Sequence, residues 1–243
     1  MVVDPGLRSA RAHVVVEDLE SPVLDAADHH HLGRVLRLRA GEAVTVTDGA
    51  GRWRPCRLRD PGRGALEVVG PVAVQARPEP TVAVLFAPPR GADTATWTVR
   101  KLTELGVDRI GALVTDRGVV RWDSHRREAQ LDRWRRVARS ATGQARRCWL
   151  PAVEGPVELA AAARMAGVAL AEPGGGAPSP ARPCILVGPE GGWSPEEAAA
   201  LRDVARVGLG PFVLRAETAA LAAAALMCGL RSDLVSPGPT PGS

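Results

Sequence analysis

The segment ILVGPEGGWSPEE, residues 185–197, constrains the fold strongly because it combines a strand, a glycine-rich loop and a helix start. Residues 185–187 form a short apolar run that is typical of a buried strand. Ser194 stands at the N-cap position, Pro195 at the first helical position and Glu197 at the capping-box position, which together predict a helix. A strand that passes through a glycine loop into a helix is a usual unit of α/β folds and often binds phosphate.

The same alternation runs through the chain from residue 81 onward. Strand-like apolar segments alternate with helical segments, and the helix predicted from about Thr94 to Leu105 ends at Gly106. We therefore predict an α/β domain with a mostly parallel sheet over residues 80–234. Its strands are TVAVLFA, DRIGALVT, VALAE, CILVG and RVGLG, and its last helix is AETAALAAAALMCGL.

Residues 1–76 are instead typical of short strands that are separated by turns. A hairpin is predicted at Asp48-Gly49, and further strands at RAHVVVED and GALEVVGPVAV. Between the first strand and the hairpin, DAADHHHLGRVLRLRAGE predicts a short helix followed by a basic strand. These features predict a small N-terminal β-barrel, joined to the α/β domain by the linker QARPEP, and residues 235–243 are predicted to form a disordered tail.

The net charge of +4 and the pI of about 9.3 indicate a polyanionic partner. Lys101 is the only lysine and tyrosine is absent, so the many arginines partly reflect a GC-rich genome, and only their placement is informative. Between Arg117 and Arg147 there are ten arginines and three acidic residues. The helical spacing of Leu131, Trp134 and Ala138 predicts a buried apolar stripe, which leaves the arginines to form a surface for RNA or phosphate.

Neither a metal site nor a membrane segment is expected. The four cysteines are widely scattered, without a C-x-x-C spacing, and are typical of buried free thiols in a reducing cytosol. The adjacent histidines 29–31 cannot all point in one direction. The sequence has no apolar run of about 18 residues and no evident signal peptide, so we expect a cytoplasmic protein.

The glycine loop lacks the residues that phosphate binders need. It has no Gly-Lys-Ser/Thr ending of a Walker loop and no G-x-G-x-x-G fingerprint, and the carboxylate of Glu190 would repel a phosphate. A cationic or neutral ligand is therefore favoured. A second informative segment is VGLGPFVLRAETAALAAAAL, in which Arg215 directly precedes a helix. Glu217 and Thr218 lie in the first turn of this helix, where they either have a functional role or only cap the helix.

Four segments together resemble the ribosomal small-subunit RNA methyltransferase E family, a group of SPOUT-class enzymes. They are HHLGRVLRLRAGE with DGAG, RKLTELGVDRI, LVGPEGGWSPEE and LGPFVLRAETAALAAAAL, in order along nearly the whole chain. The chain departs from the family at Phe212, where an arginine is usual, and at Gly143, where an acidic residue is usual.

The resemblance implies an N-terminal PUA-like (OB-like) barrel that binds RNA and a SPOUT α/β domain with a deep trefoil knot. It also implies a homodimer and S-adenosylmethionine as the methyl donor. The implied reaction methylates ring nitrogen 3 of a uridine in the decoding region of 16S rRNA, within the 30S subunit. The implied donor-binding residues are Leu170, Ala171, Glu172, Val187, Gly188, Pro189, Glu190, Gly191, Gly192, Leu209, Gly210, Pro211, Leu214, Arg215, Ala216, Glu217 and Thr218.

Uracil nitrogen 3 carries a proton that must leave before methylation. On this hypothesis Arg215 stabilises negative charge on a uracil carbonyl, and either Glu217 or Glu190 orients the base or accepts the proton. Two alternatives are a SPOUT enzyme with another target atom or a tRNA substrate, and a non-catalytic RNA-binding protein. The predicted phosphate contacts are Arg8, Arg11, Arg34, Arg37, Arg39, Arg117, Arg121, Arg146 and Arg147.

Overall fold

A computed structural model describes residues 4–118 and 124–236, with side chains for all of these except residues 124–126. The predicted tail beyond residue 236 and the side chain of Arg121 lie outside this description. The described chain divides into two compact units. The first contains residues 4–77 and 139–150, and the second contains residues 78–118, 124–138 and 151–236.

The first unit is built on one five-stranded sheet in the order β1-β2-β3-β4, with β5 also paired to β3. The pair β1–β2 is parallel, and the other pairs are antiparallel. Closure into a barrel stays a prediction. The elements are α1 (Pro5–Ser9), β1 (Ala12–Val15), α2 (Ala26–His30), a π-helical turn (His31–Val35), β2 (Ala43–Thr47), β3 (Arg52–Asp60), β4 (Ala65–Val68) and β5 (Ala73–Val74).

The predicted hairpin is confirmed, since β2 and β3 pair antiparallel across the Asp48-Gly49 turn. Oδ1 of Asp48 accepts hydrogen bonds from the backbone N–H of Ala50 at 2.8 Å and of Arg52 at 3.1 Å. Gly49 has φ +71°, a conformation that glycine adopts readily. The local turn chemistry therefore fixes the register of these two strands.

The predicted basic strand after α2 is wrong. The backbone N–H of Leu38 bonds the carbonyl of Leu32 at 3.0 Å, and Arg37 has φ +52°, so the segment turns instead of extending. Burial of both leucines decides this conformation, while Arg34, Arg37 and Arg39 stay exposed. GALEVVGPVAV likewise forms two strands, because proline 71 has no N–H with which to continue a sheet ladder.

The second unit contains a six-stranded sheet in the order β11-β9-β10-β6-β7-β8, with every pair parallel. The prediction of a mostly parallel α/β sheet is confirmed. The strands are β6 (Ala83–Phe86), β7 (Arg109–Val114), β8 (Ala152–Glu158), β9 (Val168–Gly176), β10 (Cys184–Val187) and β11 (Ala205–Val207). The helices are α3 (Ala92–Leu105), α4 (Ser124–Gln144), α5 (Leu159–Ala162), α6 (Pro195–Ala200) and α7 (Ala216–Arg231).

The core of this unit holds the predicted apolar stripe of α4. Leu131 and Trp134 are fully buried, and the Trp134 ring stacks on Phe86 with ring centroids 5.8 Å apart. α3 ends as predicted at Gly106, which has φ +100°. The alanines of α7 at positions 220, 223 and 224 are completely buried in the same core. Small side chains there allow this helix to lie close to its neighbours.

Gly143 in α4 has a structural reason within the first unit. A Cβ at this position would lie 2.6 Å from the carbonyl oxygen of His13, closer than any side chain tolerates. A larger residue, including the acidic one that is usual in the family, therefore does not fit this backbone.

The four cysteines are free and buried, as predicted. Burial raises the pKa of Cys56 and Cys184 to about 11, so these thiols stay protonated and unreactive near neutral pH. Among the helices that the structure describes, none is long and apolar enough to cross a membrane.

Candidate functional site

A cleft of about 250 Å³ lies beyond the carboxyl ends of β9, β10 and β11. Ligands of parallel α/β sheets bind at this edge, where the loops that follow neighbouring strands converge. Three segments line it, namely residues 171–173 of β9, the glycine loop after β10 and the loop that leads into α7. A larger and open cavity of about 440 Å³ lies at the amino ends of the same strands, which is not the edge where such sheets bind ligands.

The glycine loop leaves little room for side chains of its own. A Cβ on Gly188 would lie 2.5 Å from the ring of Trp193, and Gly192 has φ +68°. The carbonyl of Gly191 accepts a hydrogen bond from Nη1 of Arg117 at 3.1 Å. Backbone atoms of this loop therefore form one wall of the cleft. The Arg117 side chain is bound to the loop by this hydrogen bond.

The predicted capping box of α6 is confirmed and holds the far end of the loop. The Ser194 side chain accepts a hydrogen bond from the backbone N–H of Glu197, and the Glu197 carboxylate accepts one from the backbone N–H of Ser194. Pro195 is in the first turn. These local contacts end the loop at a fixed point.

The second wall of the cleft is an arch in β9. Leu170 pairs with Arg206, and Gly176 pairs with the next residue, Val207. Residues 171–175 therefore form a bulge between two consecutive pairs of the β9–β11 ladder. Ala171, Glu172 and Pro173, at the start of this arch, line the cleft. The carboxylate of Glu172 forms an ion pair with Arg206 at 2.5 Å.

The third wall exposes apolar side chains that the sequence analysis did not assign to the site. Phe212 is 77% exposed and Val213 is 87% exposed, and both line the cleft. The preceding Gly210 has φ +154°. The sequence carries no periodic pattern here, so the only available signal was the departure from the family at Phe212.

The start of α7 positions the proposed catalytic residues. Arg215 is the N-cap residue and is exposed, and Ala216 is buried against the cleft. Oε2 of Glu217 is buried and receives no hydrogen bond from any residue that the structure describes. Such a carboxylate oxygen needs a donor from elsewhere. Glu190, the other candidate, is exposed and lines the cleft.

The structure brings many of the expected donor-binding residues together around one cleft. Those that line it are Ala171, Glu172, Val187, Gly188, Pro189, Glu190, Gly192, Leu209, Gly210, Leu214 and Ala216. The expected residues that do not line it are Leu170, Gly191, Pro211, Arg215, Glu217 and Thr218. The lining residues that the sequence analysis missed are Pro173, Trp193, Phe212, Val213 and Ala219.

The arginines expected to contact RNA differ in their availability. Arg11 forms an exposed ion pair with Glu42 at 3.4 Å. Nη2 of Arg146 donates to the carbonyl of Arg11 at 3.3 Å, and burial lowers the pKa of Arg146. The backbone carbonyl of Arg147 bonds Nε2 of His13 at 2.9 Å. Arg8, Arg34, Arg37 and Arg39 are exposed.

Within residues 4–118 and 124–236, no cluster of histidine, cysteine, aspartate or glutamate side chains is arranged to hold a metal ion.

Comparisons with known proteins agree with this architecture. Residues 77–228 match the RNA methyltransferase domain family, and residues 24–69 match the RNA methyltransferase PUA domain. The ribosomal RNA small subunit methyltransferase E of Mycobacterium bovis is 34% identical over 232 residues, which cover 83% of both chains.

Solved structures are similar over most of the chain. A ribosomal RNA small subunit methyltransferase E from Neisseria gonorrhoeae bound to S-adenosylmethionine has a TM-score of 0.75 and 28% identity, and the match covers 90% of this chain and 97% of that one. A Legionella pneumophila methyltransferase structure in complex with the same cofactor has a TM-score of 0.74 and 25% identity, with 88% and 96% coverage. The chain therefore belongs to the ribosomal RNA small subunit methyltransferase E family.

Proposed function

We propose that this protein uses S-adenosylmethionine to methylate ring nitrogen 3 of a uridine in the decoding region of 16S rRNA, within the 30S subunit. The observation that carries this proposal is the cleft itself, which joins a glycine loop to two carboxylates, Glu172 and Glu190, at the ligand-binding edge of the sheet. Membership of the methyltransferase family and the donor bound in two relatives support it.

The residues of the cleft fit this donor better than a nucleotide phosphate. When bound, S-adenosylmethionine supplies an electrophilic methyl group on a sulfonium cation, and it carries no phosphate. Both ionisable groups of the lining, Glu172 and Glu190, are acidic. Carboxylates repel phosphate but attract a cation and accept hydrogen bonds from hydroxyl groups. The Trp193 ring occupies the space where a side chain of Gly188 would stand, so both residues line the cleft.

The chemistry requires a site for the proton on uracil nitrogen 3. We infer that Glu217 accepts it, because Glu217 directly follows the cleft-lining Ala216 and its buried Oε2 receives no hydrogen bond from the described residues. Arg215, which is exposed and stands between the cleft-lining Leu214 and Ala216, stabilises the negative charge that then develops on a uracil carbonyl. Glu190 is left to orient the base at the open side of the cleft.

A target base has to leave its stack to reach this cleft. Phe212 offers it an exposed aromatic face at the rim of the cleft. The wider proposal follows the family resemblance. Residues 80–234 form a deep trefoil knot, and two chains form a homodimer through this domain. Residues 1–76 form a PUA-like barrel that binds RNA, and the enzyme acts in the cytoplasm. The exposed arginines Arg8, Arg34, Arg37 and Arg39 provide phosphate contacts.

The decisive experiment is transfer of tritiated methyl groups to 30S subunits that lack the modification, followed by mapping of the labelled base. We expect a single labelled uridine with the methyl group on nitrogen 3. Label on another ring atom, or on tRNA alone, would support a different SPOUT activity. No transfer, together with no binding of S-adenosylmethionine in calorimetry, would support a non-catalytic RNA-binding protein.

A further inference from the structure

The arch in β9 pairs with its neighbouring strands only at its two ends. Its two ends are fixed where Leu170 pairs with Arg206 and Gly176 with Val207. At the second end, the backbone N–H of Gly208 also donates to the carbonyl of Gly176 at 2.8 Å. The residues between these ends include Gly174 and Gly175, which restrict the backbone less than other residues do.

Besides the packing of Ala171 against the core, an ion pair connects this arch to the chain that follows α6. Nε of Arg206 lies 2.5 Å from Oε2 of Glu172, on the part of the arch that lines the cleft. The same guanidinium donates from Nη1 to the carbonyl of Leu201 at 2.8 Å and to the carbonyl of Val204. These hydrogen bonds therefore hold the Arg206 guanidinium in place against the chain that follows α6, and the ion pair in turn holds the Glu172 carboxylate in place.

The contact is better suited to orientation than to stability. Both side chains are partly exposed, 34% for Arg206 and 50% for Glu172, and ion pairs of this kind contribute little to the free energy of unfolding. They do restrict the rotamers of the groups they join. Oε1 of Glu172 accepts no hydrogen bond from the described part of the chain and is therefore available to a ligand.

We propose that Arg206 is a positioning residue, which holds Glu172 so that Oε1 accepts hydrogen bonds from the ribose hydroxyls of the methyl donor. This proposal rests on the proposed function, because it assumes that the donor occupies the cleft. Because Oε1 accepts hydrogen bonds along its lone pairs, holding the carboxylate through Oε2 also sets the direction in which Oε1 accepts them. Without Arg206 the half-exposed Glu172 side chain would be free to rotate its carboxylate toward water.

Binding of the demethylated product tests this without any turnover. Calorimetry would compare S-adenosylhomocysteine with its 2′,3′-dideoxyribose counterpart on the whole protein. We expect the wild type to prefer the hydroxylated ligand by about tenfold or more, since hydrogen bonds to a charged acceptor have this magnitude. Arg206→Met should reduce the preference to about twofold, and Arg206→Lys should restore part of it.

Two further variants separate positioning from a structural role. Glu172→Gln should weaken the preference, and adding Arg206→Met to it should change the preference no further, because both substitutions act through the same contact. Arg202→Met removes an exposed neighbouring arginine and should leave the preference unchanged. Thermal unfolding of each variant would show whether the fold is retained.

The outcomes are distinct. If Arg206→Met keeps the wild-type preference, or weakens the binding of both ligands equally, Arg206 does not position Glu172. The assignment of the cleft to the methyl donor would still stand. If the wild type binds both ligands without preference, Glu172 does not contact the ribose and the proposal fails. If the wild type binds neither ligand, the donor assignment itself fails, and this inference with it.

Discussion

The backbone N–H of Asp116 donates a hydrogen bond to Oε1 of Glu197 at 2.8 Å, although the two residues are 81 positions apart in the chain. Oγ of Ser194 in turn donates to Oδ2 of Asp116 at 2.5 Å. The capping box of α6 thus also holds the loop that follows β7. Since Arg117 in that loop bonds Gly191, the network fixes the glycine loop from two sides.

Replacing Glu197 by alanine should destabilise the protein strongly. The Glu197 side chain is buried and accepts hydrogen bonds from two backbone N–H groups, of Ser194 and Asp116. Its removal leaves both donors unsatisfied, which should lower the free energy of unfolding by about 2–4 kcal/mol. Urea denaturation would measure this. Glu196→Ala, an exposed carboxylate in the same helical turn, is the matched control and should stay within about 0.5 kcal/mol of wild type.

Asp108→Asn should also be strongly destabilising. Asp108 and Arg231 form an ion pair in which the two side chains are only 5% and 6% exposed, and Oδ2 of Asp108 also accepts from the backbone N–H of Val82 at 2.9 Å. An asparagine leaves the buried guanidinium without its counter-charge, so we expect a loss of about 3–5 kcal/mol in urea denaturation. Asp132→Asn, which removes an exposed ion pair with Arg135, should cost about 0.5 kcal/mol or less. Equal effects of the two variants would contradict this reasoning.

His13 should make stability depend on pH below neutrality. Burial, with a smaller effect of the nearby Arg146 charge, lowers the pKa of His13 from 6.5 to about 4. Its Nδ1 and Nε2 bond the Thr45 hydroxyl and the Arg147 carbonyl, an arrangement that suits the neutral ring.

The unfolded chain takes up this proton near pH 6.5, and the folded chain only near pH 4. Neutral His13 therefore makes its full contribution to the free energy of unfolding above pH 6.5. This contribution, about 3 kcal/mol in all, is lost as the pH falls from 6.5 to about 4. Urea denaturation at several pH values would show this contribution as the difference in slope between the wild type and His13→Gln. His30→Gln, at an exposed position, should retain the slope.

The features that were predictable from the sequence are local ones. Ser194, Pro195 and Glu197 form their capping box within one helical turn, so their residue types sufficed to identify it. The bond from Asp116 to the same glutamate was not predictable, because it depends on which strands of the sheet are neighbours. The parallel sheet was predicted from buried apolar runs, since fully buried strands have few other compositions.

The wrong prediction of a basic strand and the features that were not predicted have physical causes as well. The basic strand was predicted from alternating residues, but burial of Leu32 and Leu38 folds that segment into turns. Phe212 was not assigned to the cleft because exposed aromatic residues carry no periodic signal. Residues 139–150 group with the first unit through contacts distant in sequence, which residue types alone do not reveal.

Phe212→Ala should impair use of the RNA substrate but not donor binding. Phe212 is exposed at the rim of the cleft, where the proposed function places an unstacked base. Loss of stacking should lower kcat/KM for 30S subunits about tenfold or more, while Phe212→Trp should stay close to wild type. Calorimetry should give an unchanged affinity for S-adenosylmethionine. Leu234→Ala, at an exposed apolar position outside the cleft lining, is the control. The role fails if the substitution weakens only donor binding.

Glu217→Gln should slow methyl transfer by about a hundredfold in single-turnover assays, because the amide cannot take the proton of uracil nitrogen 3. The defect should shrink as the pH rises, since that nitrogen then loses its proton without help. Arg215→Ala should cause a defect that persists at high pH, because the charge on the carbonyl still lacks its partner. Both variants should keep the fold and bind 30S subunits. Glu190→Gln is the matched carboxylate control: a pH-dependent defect there, with full activity of Glu217→Gln, would transfer the proton-accepting role to Glu190.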